Sequence, residues 1–225
     1  VVVSSAVRFA FARHMVGPWI MIDEIVYSEL AKSFAATGHF AAREVPTSGY
    51  GVVYPILISP AYLLFRSMPT VYTAIKVIDS VLMSLAAVPA YLLARRVVSK
   101  WGALAVAVLT VAVPSTFYAG SVMTENAFYP IFLFAVLALV RALDSPSVVR
   151  VGLFLATLLV AYETRAQAVA LAAVALTAPV VAAVVARDPR RLVEQWLLYG
   201  VVVGVGVAAI GAELLRGHSI RSLLG

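Results

Sequence analysis

Asp23 and Glu24 stand side by side in the stretch WIMIDEIVYSEL (residues 19–30), among Trp, Met, Ile and Val. A carboxylate held near apolar surface resists ionisation, and a second one beside it raises one of the two pKa values further. Such a group suits general-base work, taking a proton from an incoming hydroxyl. If the electrophile is a sugar on a phosphate leaving group, a nearby basic residue stabilises the departing charge. Lys76 in AIKVIDS and Arg165 in YETRAQA are the candidates for that role. A single displacement of this kind inverts the anomeric centre and needs one base, without the carboxylate nucleophile of retaining hydrolases.

Further polar residues interrupt apolar sequence at Asp79, Glu125, Glu163 and Gln167. Charge at membrane level is costly and therefore suggests function, yet each charge also has a plain structural reading. Asp23 and Glu125 can cap helix N-termini. Lys76 and Asp79 are three apart on a helix and can pair with each other. Glu163 and Arg165 can form a boundary pair at a tight turn. Tyr50, Tyr54 and Tyr62 suit an interfacial belt, with Tyr27 and Tyr54 placed among the substrate contacts. His14, His39 and His218 show no ligand spacing and no metal ligand is assigned. The cofactor is left open: acidic residues can hold Mg²⁺ or Mn²⁺ through their oxygens, but nothing in the spacing demands it.

The elements that must position these groups follow from composition. Hydrophobic residues make up 63% and charged residues 12% of the 225 residues, and the mean hydropathy is +0.98. A soluble domain is about half apolar and a quarter charged. Residues 101–124, 166–186 and 195–212 carry no charge, and a bilayer core needs about 20 mostly apolar residues per helix. The expected fold class is therefore all-α, a polytopic transmembrane helical bundle contacting the lipid bilayer. A net charge of +6 would suit nucleic acid, but its distribution excludes that partner. Arg95, Arg96 and Lys100, then Arg141 and Arg150, then Arg187, Arg190 and Arg191 each lie between apolar runs, as cytoplasmic loops do. Cysteine is absent, which excludes disulfide and thiol chemistry.

With those clusters cytoplasmic, six spans are expected: Thr73–Val98, Trp101–Ala119, Glu125–Arg141, Val149–Tyr162, Arg165–Ala186 and Leu192–Leu215. Residues 1–8 read as the end of a first transmembrane helix that begins upstream, 9–72 as an outer loop, 73–215 as the spans, and 216–225 as an outer segment leading onward. In the loop, Ile22, Val26, Leu30 and Phe34 recur every four positions, one face of a helix lying on the membrane surface. Thr37 and Gly38 end it. VVYPILISPAYLLF, with Pro55 and Pro60 inside, reads as a second surface-lying or re-entrant piece, with a half-span as the alternative. On this topology Asp23, Glu24, Lys76, Asp79, Glu125, Glu163 and Arg165 collect on the outer face.

An Asp-Glu pair heading an amphipathic helix in the first outer loop resembles the GT-C membrane glycosyltransferases, in particular the protein O-mannosyltransferase and aminoarabinose transferase branch. GYGVVYPILISPAYLLF looks like the proline- and tyrosine-rich surface helix before the second span of those enzymes. AIKVIDSVLMSLAAVPAYLLARRVVSKWGALAVAV resembles the hairpin that follows, and VPSTFYAGSVMTENAFYPIFLF and YETRAQA match the general pattern of bacterial members. The order of elements carries the likeness. It implies a multi-pass cell-membrane enzyme that takes a polyprenyl-phosphate-linked sugar on the outer face and gives it to a protein, lipid or polysaccharide acceptor. Asp23 matches the catalytic acidic position and Glu24 the second acid of the pair. Glu125, Arg165 and Gln167 join the site by position. Members are usually longer, so the chain is expected to be an N-terminal portion. Two other classes compete: a transporter or flippase of lipid-linked sugars, and a non-catalytic membrane subunit.

Overall fold

The computed structural model describes residues 1–15, 17, 21–43, 45–47, 49–112, 118–188, 190, 192–201 and 203–204. The chain is mostly helical. In order run α1 (Val2–Ala12), α2 (Ile22–Thr37), a ladder of β1 (Ala41–Ala42) with β2 (Val45–Pro46), α3 (Val53–Leu64), α4 (Met68–Leu85), α5 (Ala87–Ala94), α6 (Lys100–Ala112), α7 (Glu125–Asp144), α8 (Val148–Thr164) and α9 (Val169–Ala186). Residues 192–201 are helical again.

Three stretches are long and apolar enough to cross a membrane: Met68–Ala94, Glu125–Asp144 and Ala166–Ala186. The first joins α4 to α5 across a break at Ala86. Pro89 explains the break, because it has no N–H to give the carbonyl of Leu85, four residues back. Pro60 would leave Ile56 in the same position within α3, and there the hydroxyl of Ser59 donates to the Ile56 carbonyl at 2.8 Å. A side chain thus re-satisfies a backbone group that a proline frees.

The remaining expected spans are shorter. α8 matches Val149–Tyr162 in place, but its 17 residues extend only about 26 Å at 1.5 Å per residue, against a hydrocarbon core of about 30 Å. α6 covers 13 residues of the expected Trp101–Ala119, of which 113–117 lie outside the described residues. So do Trp19, Ile20, half of the last expected span and the 216–225 segment.

The chain divides into two compact units, Val1–Phe134 with Val160–Ala166, and Ala135–Leu159 with Gln167–Gly225. In the first, α2 packs on α3, α1 and α3 pack on α4, and α5 packs on α6. Ala31, Tyr54, Ile58, Val71, Ile75 and Val122 form part of its core. The first candidate span lies in this unit, the second passes into the other unit at Ala135, and the third lies in the other unit from Gln167 onward. Each span is followed in sequence by one of the basic clusters. In the second unit, the ring of Tyr199 meets that of Phe154 edge-on at 6.4 Å, and the Gln195 amide donates to the Leu143 carbonyl at 3.1 Å.

Candidate polar site beside helix α2

α2 runs from Ile22 to Thr37 and ends on Gly38 in the left-handed conformation (φ 75°), whose N–H bonds the Phe34 carbonyl at 2.9 Å. Glycine meets that backbone geometry without a Cβ penalty. The expected stop at Thr37 and Gly38 is where the helix stops. Its buried face differs from the expected stripe. Leu30 is buried but Ile22 is 77% exposed, and Glu24 and Ala31 are buried in its place. The face packed on α3 thus carries Glu24, while Asp23 is exposed. Successive helix residues point about 100° apart, so the two adjacent acids enter different surroundings.

Asp23 does not cap α2: Met21 is the N-cap residue, without a side-chain hydrogen bond, and both acids lie in the first turn, where they complement the helix dipole. Asp23 makes no hydrogen bond or ion pair among the described residues. Its charge acts on Tyr27, a phenol also influenced by Arg165, Thr124 and Glu125. Burial, then the charge of Asp23, push the Tyr27 phenol above its ordinary value of 10.0. Tyr27 is held edge-on between Tyr50 (centroids 5.6 Å) and Tyr54 (5.7 Å), geometry worth about 0.5–1.5 kcal/mol per pair beyond burial. Arg165 pairs with Glu125 and donates to the Thr124 hydroxyl at 3.1 Å. That ion pair ties the end of α8 to the start of α7, where the expected Glu163–Arg165 boundary pair is not seen. Gly51 lets the Tyr50 segment approach this point, since a Cβ there would collide with the carbonyls of Glu163 and Thr164.

Glu24 occupies the other side. It is 1% exposed, and one carboxylate oxygen accepts the Val122 N–H at 3.0 Å while Oε2 has no partner among the described residues. Burial holds its carboxyl above the ordinary 4.5, with the Val122 N–H opposing. The turn that supplies this N–H is fixed at three points. Asn126 donates to the carbonyls of Tyr118 (2.9 Å) and Ser121 (3.0 Å), Tyr72 donates to that of Gly120 (2.7 Å), and Glu24 takes Val122. Thr124, Asn126 and Tyr72 were not singled out by the sequence reading. The signal for the first two is the polar run TEN breaking two apolar stretches.

Beside Glu24 lies a pocket of about 290 Å³, lined among others by Ser28, Glu29, Tyr62, Met68, Val71 and Ile75. Ser28 and Tyr62 hydrogen bond to each other there. Tyr54, expected at the interface and in the site, is instead fully buried and donates to both Asp79 oxygens at 3.1 and 3.0 Å. Lys76 and Asp79 are both buried and do not pair. The Lys76 ammonium bonds the Met15 carbonyl and lies 4.1 Å over the Tyr72 ring. Each has a nonlocal partner that outcompetes its neighbour three residues away. Lys76 therefore stands apart from the Asp23 cluster. Gln167 is exposed in the 3₁₀ turn Ala166–Ala168 and belongs to the second unit.

No three acids or histidines converge as a metal site among the described residues, and Glu125, the acid nearest Asp23's surroundings, is committed to Arg165. A scan of the chain against protein-family models found no match, and searches of curated proteins and of solved structures found none.

Proposed function

We propose that the protein is an inverting membrane glycosyltransferase that moves a sugar from a polyprenyl-phosphate donor to an acceptor hydroxyl on the outer face. The observation that carries this reading is the setting of Asp23. It is an exposed carboxylate outside any ion pair among the described residues, and its charge acts on Tyr27, whose phenol also feels Arg165 and Glu125, themselves an ion pair. The basic residues that follow each span support the orientation by the positive-inside rule. In the reaction, Asp23 takes the acceptor's hydroxyl proton as the oxygen forms its bond to the anomeric carbon. The bond from that carbon to the phosphate oxygen breaks, and the electron pair leaves with the lipid phosphate. Arg165, held in place by Glu125, provides positive charge near the departing phosphate. Tyr27 is the rigid aromatic wall beside the base.

The test is sugar transfer from a panel of radiolabelled polyprenyl-phosphate sugars in membranes, with Asp23→Asn alongside at matched expression. One donor should give product, and the variant should lose about 10²-fold or more of the rate, the usual worth of a general base. Equal transfer by the variant would refute the assignment. The buried charges Arg8 and Asp79 inside apolar helices favour a second reading, a carrier of lipid-linked sugars. Counterflow of labelled lipid-sugar without a transfer product would support it.

A further inference from the structure

We infer that the pocket beside Glu24 is a second binding site, separate from Asp23, for a small molecule with a primary ammonium group on an apolar body. Three features lead there. The cavity of about 290 Å³ has room for about ten water-sized groups at ~30 Å³ each, and Met68, Val71 and Ile75 make its walls mostly apolar. Glu24, one of its lining residues and 1% exposed, keeps an oxygen with no hydrogen-bond partner among the described residues. Buried polar atoms are seldom left so, and an incoming donor removes the penalty. The other charged lining residue is also acidic: Glu29, on the same helix, whose Lys32 neighbour is 3.9 Å away and well exposed. Two carboxyl groups in an apolar recess attract a cation and repel an anion.

The ammonium supplies the donors that Oε2 lacks, and the apolar body displaces water from the walls. Glu24 simultaneously keeps its Val122 contact through the other oxygen. The site needs no chemistry at Asp23, so it stands or falls apart from glycosyl transfer.

Benzylamine, benzyl alcohol and benzoate share one body and differ in head group. Equilibrium binding of each to the purified full chain in nanodiscs, with empty nanodiscs as the blank, tests the inference. Saturable benzylamine binding is expected, weaker by about tenfold for benzyl alcohol and absent for benzoate, since bonds to charged groups are the stronger class. Glu24→Gln keeps an acceptor for Val122 and should weaken benzylamine by about tenfold or more. Ile25→Trp, at a 44% exposed lining position, should block the pocket without touching the core, so it serves if the glutamine variant does not fold. Equal binding of all three ligands, no binding of benzylamine, or unchanged benzylamine affinity in Ile25→Trp would each overturn the inference.

Discussion

Replacing Tyr54 by Phe removes one oxygen from a fully buried contact. The Tyr54 hydroxyl reaches both oxygens of Asp79, at 3.1 and 3.0 Å, and both residues have no measurable exposure. Both groups are fully buried, and the Asn126 side chain is the other donor near the carboxyl group. Bonds to charged groups in soluble proteins contribute about 1.5–3 kcal/mol. Side-chain bonds between membrane helices average about 0.6 kcal/mol and reach ~1.7, because the chain unfolded in the bilayer finds other partners. The Tyr54–Asp79 pair joins α3 to α4 in a dry core, so the upper membrane value applies, about 1–2 kcal/mol of coupling. The assay is a double-mutant cycle of Tyr54→Phe and Asp79→Leu, read by reversible unfolding in detergent. Each single change should destabilise, and the double variant should cost less than the sum by that coupling. Strict additivity would refute the claim that the two side chains stabilise each other.

Glu24→Gln should make stability less dependent on pH. The folded carboxyl is held above 4.5 by burial, so between 4.5 and its raised folded value the native state keeps a proton that the unfolded chain has released. Stability then falls as pH rises through that window. Unfolding at pH 4 and pH 7 should show the variant gaining on the parent at the higher pH, and a parallel profile for the two would contradict the burial argument. Gly51→Ala should destabilise by about 1–3 kcal/mol, the usual cost of overpacking, because its Cβ meets the Glu163 and Thr164 carbonyls. It should also impair transfer, which a melting curve and the donor-panel assay would measure together. Asp23→Asn should abolish transfer while leaving the melting temperature unchanged.

The helical class and the stop of α2 at Gly38 could be anticipated from residue types, because apolar runs and a glycine C-cap are local signals. The buried face of α2 could not. Apolar spacing marks Ile22, Val26, Leu30 and Phe34 as a stripe, yet Glu24 and Ala31 are the buried ones with Leu30. Which face of a short helix is buried depends on α3, and α3 is nonlocal. Lys76 and Asp79 show the same limit: spacing offered them each other, and the fold gave one to the Met15 carbonyl and the other to Tyr54. Span lengths depended on where prolines interrupt the backbone ladder, as Pro89 does after Leu85.

That interruption separates two mechanical duties within one candidate span, Met68–Ala94. The α4 half is clamped by α1 and α3, and α3 carries the partner of Asp79, whereas the α5 half is clamped by α6. With the Leu85 carbonyl lacking its usual i+4 donor, torsion entering from the Arg95–Lys100 turn has a soft joint at Ala86 before it reaches Asp79. The α5–α6 hairpin can therefore adjust while the wall behind Glu24 keeps its shape.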